Sequence, residues 1–270
     1  MSLGIQEKIK YIDWLMRDKY PNFLVKPKKY LPLIKKDIKR LEAGKPLAYV
    51  IGWVDFLGAR IDLSYKPLIP RIETEFWVEQ ILKGFKFQTS RSTILDLCSG
   101  SGCIGLAVLK YLPKARVVLA DNSPRAVRQI NKNLKINKIK KSRAGVIKSD
   151  LFKNIKGKFD YILTNPPYIP VGRELPASVK KYEPAAALFG GKDGLDILKR
   201  ILKEAPAYLN PGGAVFFEFD SGQKMHLGKL AKRLPYRNID FNKDQYDKWR
   251  YGRAKIKKGR AGLPKRLKTC

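Results

Sequence analysis

The chain has 270 residues, 44% hydrophobic and 11% aromatic, enough for one sizeable core and a small accessory domain. Its 56 Lys and Arg against 24 Asp and Glu give a net charge of +32, which implies attraction to polyanions such as RNA or the ribosome. The basic residues are spread through every segment, so charge says more about neighbours than about chemistry.

No run of about 18 apolar residues is present, and no apolar signal segment follows Met1, so no membrane partner and a cytoplasmic location are expected. Cys98, Cys103 and Cys270 form no paired framework and no CxxC, and His226 is the only histidine. A metal site and histidine-based catalysis are therefore not expected.

Taken in order, residues 4–19 have Ile5, Ile9, Ile12, Leu15 and Met16 at helical spacing. A second helix is expected from Leu31 to Leu41, with Leu33, Ile34, Ile38 and Leu41 on one side and Gly44 as its stop. Tyr49–Gly58 and Arg60–Leu63 read as a hairpin, and Pro67–Glu75 as a proline-bounded loop leading into a helix from about Glu73 to Leu82. From Thr93 the pattern alternates strands and helices, which argues for an α/β fold with a doubly wound, mostly parallel sheet. Strands are expected near 93–97, 115–120, 144–148, 159–164 and 213–219, and helices near 103–112, 124–136, 195–208 and 222–233. Phe241 and Trp249-Arg250-Tyr251 suggest a closing antiparallel pair. Residues 253–270 carry eight Lys and Arg and no acid, and read as a disordered basic tail.

The most informative stretch is Asn165-Pro166-Pro167-Tyr168, at the end of the apolar run Phe159–Thr164. Two prolines end the ladder and stiffen the turn. The Asn165 amide oxygen and the Pro166 carbonyl are then fixed acceptors, with Tyr168 as a flat wall beside them. Such a pocket suits a planar NH2 group, a carboxamide or a base's exocyclic amine. Turn chemistry alone also favours these residues, so the tetrapeptide does not decide the matter by itself.

Other strand ends add to it. Leu95-Asp96-Leu97-Cys98-Ser99-Gly100-Ser101-Gly102 leads from a strand into a helix, where Gly100 and Gly102 allow close approach of a ligand and Gly105 permits tight helix packing. Asp96 is placed for an ammonium group or a water. Asp121 closes the next strand, about 20 residues on, where a carboxylate can accept from two ribose hydroxyls; a helix cap before Ser123-Pro124 is the bland alternative. Ser149-Asp150-Leu151-Phe152 offers a third acid with an aromatic neighbour, suited to an adenine amine and face. Asp96, Asp121, Asp150 and Asn165 thus mark four successive strand ends, the edge where open α/β sheets bind ligands.

This order resembles class I S-adenosylmethionine-dependent methyltransferases, and Asn-Pro-Pro-Tyr narrows it to enzymes that methylate a planar NH2 nitrogen. Arg40–Gly52, Leu68–Glu75, Tyr182–Leu188 and Gly191–Leu195 are similar to one family, the HemK/PrmC release-factor glutamine methyltransferases. Ile72 stands where that family has a second proline, and the N-terminal domain is shorter. The resemblance implies a Rossmann-like, seven-stranded methyltransferase domain over 73–252, a helical substrate-docking domain over 1–46 and a hairpin linker over 47–72; the tail over 253–270 has no counterpart in that family. It implies S-adenosylmethionine as cofactor, held by Asp96, Cys98, Gly100, Gly102, Asp121, Asp150, Leu151 and Asn165. It also implies a protein substrate, the Gly-Gly-Gln loop of a peptide-chain release factor, met by Arg71, Glu73, Thr74, Glu183, Asn165, Pro166, Pro167 and Tyr168. Asn165, Pro166 and Tyr168 are the expected catalytic residues. An amide nitrogen is a poor nucleophile whose lone pair is delocalised, so orientation by fixed acceptors rather than a general base is the expected device. The same pocket accepts the exocyclic amine of RNA or DNA, and a degenerate fold serving only to bind RNA is a further alternative.

Overall fold

The computed structural model describes residues 4–84 and 91–256. Five parallel strands form one side of a seven-stranded sheet: β3 (Thr93–Leu97), β4 (Arg116–Asp121), β5 (Ala144–Lys148), β6 (Phe159–Thr164) and β7 (Leu209–Glu218). β9 (Trp249–Ile256) pairs antiparallel with β7, and β8 (Tyr236–Lys243) pairs antiparallel with β9. The order is β5-β4-β3-β6-β7-β9-β8. The chain therefore runs outward from β3 to β5 and then crosses to β6 on the other side of β3. That reversal leaves a crevice at the carboxyl ends of β3 and β6, with Leu97 beside Thr164.

Side chains alternate between the two faces, as strand geometry requires. Ile94, Val117 and Leu163 join one apolar cluster with Trp77, Ile104 and Leu106. Leu95, Ile162 and Val215 join the other with Leu198, Ile201 and Leu227. The first face is covered by α4 (Ile72–Gly84) and α5 (Cys103–Tyr111), the second by α8 (Asp196–Glu204) and α9 (Lys224–Ala231). α6 (Pro124–Ile136) starts at Ser123, whose hydroxyl accepts from the Ala126 N–H. Its polar residues tie down the hairpin: Asn133 Oδ1 accepts from Asp62 N and Gln129 Oε1 from Tyr65 N, both at 2.8 Å.

The N-terminal region is helical: α1 (Ile5–Trp14), α2 (Pro27–Glu42) and α3 (Leu47–Ile51), with a small core of Leu15, Tyr20, Ile34, Leu41 and Val50. Inside it the Asp37 carboxylate takes hydrogen bonds from Lys19, Tyr20 and Arg40. Gly44 follows α2 with φ +79°, as a glycine ending a helix does.

Several expectations need correction. The first helix gives way at Leu15 to a wider π turn through Lys19, and Ile9 and Ile12 lie exposed. Only Leu15 of the turn is buried, because the extra residue per turn rotates the apolar stripe. α2 begins earlier than Leu31, since Pro27 is pre-organised for a first helical turn, and Leu33 faces outward. Tyr49, Val50 and Ile51, expected as strand, form α3; the Tyr49 and Val50 N–H groups bond the Pro46 carbonyl, and Gly52 at φ +100° ends the turn. A short apolar run fits either state, and burial of Tyr49 and Val50 in two cores decides it. The hairpin proper is β1 (Trp53–Phe56) and β2 (Ala59–Asp62), with Leu57 and Gly58 at positive φ in a two-residue turn. At the other end, β9 continues through residues 253–256, assigned above to the tail. Ala254 and Lys255 pair with Val215 and Ala214, where ladder bonds and the buried Ala254 outweigh local charge. Residues 257–270, the rest of that expected tail, lie outside the described residues.

Candidate active site

At the sheet reversal, the loops after β3, β4 and β6 surround a cavity of about 240 Å³. Its lining includes Cys98, Gly100, Asp121, Leu151, Asn165 and Pro167. The Gly-rich turn is built as the residue types require. Gly100 and Gly102 have φ of +55° and +81°, and Gly102 caps α5. A Cβ at Gly105 would stand 2.7 Å from Leu119 Cδ2 and 3.0 Å from Asp96 Oδ2, so only glycine lets α5 sit this close to β3 and β4. Cys98 itself has φ +58°, turning the chain out of the strand.

Asp96 is fully buried. Its Oδ2 accepts from Gly105 N at 2.9 Å, while Oδ1 has no partner among the described residues. Burial, with the Asp121 charge adding to it, pushes the Asp96 carboxyl up to about 7 against the opposing Gly105 hydrogen bond. An orphaned buried carboxylate oxygen is costly by itself and is relieved by a cation. Asp121 accepts from Gly100 N and Ser123 N, both at 2.9 Å, and burial raises its carboxyl also. One lone pair on each Asp121 oxygen remains for two further donors. A buried carboxylate with an open oxygen, a second carboxylate with a lone pair free on each oxygen and an apolar floor at Leu151 form an acceptor set that fits the ammonium, diol and base of an aminoacyl-nucleoside sulfonium such as S-adenosylmethionine.

Asp150 is placed elsewhere than expected. It is exposed, it pairs with Arg200 at 3.3 Å, and it is not among the cavity-lining residues. Leu151 at φ +46° reverses the chain there, so Leu151 rather than Asp150 lines the cavity. Phe152 is buried against Tyr208.

The Asn-Pro-Pro-Tyr turn is braced from behind. The Tyr168 carbonyl accepts from Gln223 Nε2 at 2.8 Å, and the same nitrogen reaches the Asp193 carbonyl at 3.0 Å. A Cβ at Gly190 would meet the Pro167 oxygen at 2.3 Å, and one at Gly194 would meet the Tyr168 oxygen at 2.1 Å. The glycines of that loop are therefore there to let backbone touch backbone. Asn165 and Pro167 line the cavity and Pro166 is buried. Tyr168, expected as a cavity wall, is not among the lining residues. Its hydroxyl donates to Glu218 Oε1 at 2.9 Å.

Glu218, at the end of β7, lies level with Asn165 because Phe217 pairs with Thr164. It is 1% exposed, and its Oε2 accepts from Thr74 Oγ1 at 2.6 Å and Trp77 Nε1 at 2.8 Å. Thr74 Oγ1 in turn accepts from Asn165 Nδ2 at 3.0 Å. Burial raises the Glu218 carboxyl while these hydrogen bonds and Arg250 oppose that shift. Neither Glu218 nor Trp77 was singled out above. An acid closing the apolar strand Ala214–Phe217 is the signal that was available in the sequence.

On the opposite rim, Glu183 Oε1 pairs with Arg71 Nη2 at 2.7 Å and its Oε2 accepts from Ile69 N at 3.1 Å. Arg71, Thr74 and Pro184 reach the cavity lining, and Tyr182 donates to the Ala43 carbonyl in the helical region. Glu73 lies in the first turn of α4 outside the lining.

The methyltransferase small domain family matches residues 74–180. A release factor glutamine methyltransferase of Borreliella burgdorferi is 38% identical over 85% of this chain and 78% of its own. That of Thermodesulfovibrio yellowstonii is 37% identical over 78% and 76%. A ribosomal protein uL3 glutamine methyltransferase of Francisella tularensis is 36% identical over 73% and 63%. Among solved structures, the hMettl16 catalytic domain has a TM-score of 0.59 at 16% identity, covering 77% of this chain and 79% of its own. The T. thermophilus 16S rRNA N2 G1207 methyltransferase has 0.57 at 21%, covering 76% and 50%; both establish the methyltransferase fold. With relatives this similar along most of its length, the chain belongs to the release factor glutamine methyltransferase family.

Proposed function

We propose that this protein methylates the side-chain amide nitrogen of the glutamine in a release-factor Gly-Gly-Gln loop, with S-adenosylmethionine as methyl donor. The observation that carries this reading is the fixed Asn165 carboxamide. Its NH2 is taken by Thr74, which leaves Oδ1 as the acceptor at the cavity.

Asp96 would hold the cofactor's ammonium group, Asp121 its ribose hydroxyls, and Leu151 its base, with Cys98, Gly100 and Gly102 shaping the floor. When bound, S-adenosylmethionine supplies an electrophilic sulfonium methyl group. Asn165 Oδ1 and the Pro166 carbonyl would each accept one N–H of the glutamine amide. Held at both hydrogens, the nitrogen cannot rotate, and its lone pair is aimed at one point in the cavity. Orientation of this kind contributes several kcal/mol to a reaction whose nucleophile is intrinsically weak. As the nitrogen pyramidalises its N–H bonds become more acidic, so the two acceptors bind the transition state more tightly than the flat amide. The proton is then lost to water, and no base near neutral pH is required. Arg71 and Glu183, locked together at the rim, would meet the backbone of the loop carrying the glutamine.

The test uses purified protein, labelled S-adenosylmethionine, a release factor, its Gln→Ala variant and total RNA. Label on the release factor that vanishes in the Gln→Ala variant supports the reading. Label only on RNA overturns it in favour of a base amine. In the same assay Asn165→Ala is expected to abolish turnover with cofactor affinity retained.

A further inference from the structure

We propose that Thr74 and Glu218 are positioning residues that set which end of the Asn165 carboxamide faces the substrate. The proposal rests on the amide-methylation reading above and assigns a direction to each proton behind the site.

The argument begins at Trp77, whose indole nitrogen can only donate. Since it donates to Glu218 Oε2 at 2.8 Å, and an ionised carboxylate has no proton of its own to give, that oxygen only accepts. Thr74 Oγ1 lies 2.6 Å from the same oxygen and must therefore spend its single proton there. Having no second proton, the hydroxyl can only accept from its other neighbour, 3.0 Å away on Asn165. The atom of Asn165 facing Thr74 is thereby fixed as Nδ2, and Oδ1 is turned toward the cavity. Without this chain an Asn amide reads nearly the same both ways. Reversed, it would present NH2 to a substrate NH2, two donors meeting with no acceptor between them.

The parts come from three elements distant in sequence, α4, β6 and β7, and all meet behind the carboxyl edge. Thr74 is 2% exposed, Trp77 0% and Glu218 1%, so water does not compete for these bonds. Glu218 uses its other oxygen to take the Tyr168 hydroxyl, which couples both ends of the Asn-Pro-Pro-Tyr turn to one carboxyl group. What the chain requires at Glu218 is an Oε2 that only accepts, which the ionised carboxylate supplies. A glutamine with its oxygen toward Trp77 and Thr74 and its NH2 toward Tyr168 preserves the directions at Trp77 and Thr74 and reverses only the bond to Tyr168, whose hydroxyl then accepts.

The experiment compares Thr74→Val, Thr74→Ser and Glu218→Gln with the parent protein on release factor and labelled cofactor. Thr74→Val keeps the shape and removes the acceptor; its kcat is expected to fall about 10- to 100-fold. Cofactor Kd should stay within about twofold, because that binding does not depend on the Asn165 direction, and the release-factor KM should change less than kcat. Thr74→Ser should restore most of the rate, and Glu218→Gln should lose less than Thr74→Val. A kcat for Thr74→Val equal to that of the parent overturns the proposal. So does a Thr74→Val defect that appears equally in cofactor Kd, which would mark a structural role. Asn165→Ala separates the two readings: if it too turns over normally, the amide-holding reading itself fails. If Asn165→Ala is inactive while Thr74→Val is normal, only the positioning claim falls.

Discussion

Asp96 gives the sharpest pH prediction. Its carboxyl is raised from an ordinary 3.8 to about 7, first by burial and further by the charge of Asp121. A folded carboxyl raised above its unfolded value keeps a proton that the unfolded chain has lost, so the cofactor-free protein is most stable below about pH 4 with respect to this group. Stability is lost as pH rises to about 7, and the difference amounts to about 4 kcal/mol. A cation placed against the unpartnered Oδ1 reverses the preference, because it favours the ionised form. Binding of S-adenosylmethionine at pH 6 must then expel close to one proton, and affinity should weaken about fourfold from pH 8 to pH 6, since the cofactor's amino group is about half deprotonated at pH 8. Calorimetry at pH 6 in two buffers of different ionisation enthalpy reads the released proton directly, at a pH where the cofactor's own amino group stays protonated. Asp96→Asn should bind more weakly, release no proton and lose the pH slope. Equal heats in the two buffers for the parent protein, or an unchanged slope in Asp96→Asn, would refute the placement of the ammonium at Asp96.

Other substitutions probe the scaffold. Gly105→Ala puts a methyl 2.7 Å from Leu119 Cδ2 and should cost about 1–3 kcal/mol in urea unfolding, with weaker cofactor binding as α5 moves off β3. Gly194→Ala meets the Tyr168 carbonyl at 2.1 Å and must also hold φ +74°, so it should lower kcat by displacing the Asn-Pro-Pro-Tyr backbone; a normal rate with normal Tm would show that the brace is dispensable. In the helical region, Asp37 is raised by burial but brought net below the ordinary carboxylate range by Lys19, Tyr20 and Arg40. Its contribution is therefore present at neutral pH and lost as pH falls through its lowered folded value. Asp37→Leu leaves Lys19 without its carboxylate and should cost about 3–5 kcal/mol, read as early protease cleavage between residues 19 and 27.

Much of this was legible because the chemistry is local. Five apolar runs ended at Leu97, Asp121, Lys148, Thr164 and Glu218, close to where β-branched and aromatic residues give way to Gly, Pro and acids. Asn-Pro-Pro announced a stiff acceptor turn, and the glycines of 100–105 announced a close approach. What escaped was set by partners far along the chain. Glu218 bonds Thr74 and Trp77, 144 and 141 positions away; its place at the end of an apolar strand was visible, but its partners were not. Asp150 looked like a third ligand by its place in the order, yet the reversal at Leu151 swings it to Arg200. Tyr168 looked like a wall by its ring, but its hydroxyl needed a buried partner and found Glu218. Leu47–Ile51 could be helix or strand until Tyr49 and Val50 were seen to fill two cores.

Charge and site pull in opposite directions, and the two can be separated by salt. The chain carries +32 overall, and the cavity lining sets Lys66, Arg71 and Arg125 beside Asp121, with Asp96 and Glu218 buried behind it. A cationic cofactor must cross a repulsive field to reach these carboxylates, whereas a polyanion is drawn to the basic surface. Over distances beyond about 8–10 Å, salt near 0.1–0.15 M screens the first effect but hardly touches contacts inside the cavity. Raising salt from 50 to 300 mM should thus leave cofactor Kd level or slightly improved and speed its association. RNA affinity over the same range should fall steeply, with a log–log slope set by the phosphates neutralised. Cofactor binding that collapsed with salt in parallel with RNA would mean that the acids of the cavity do not govern its local field.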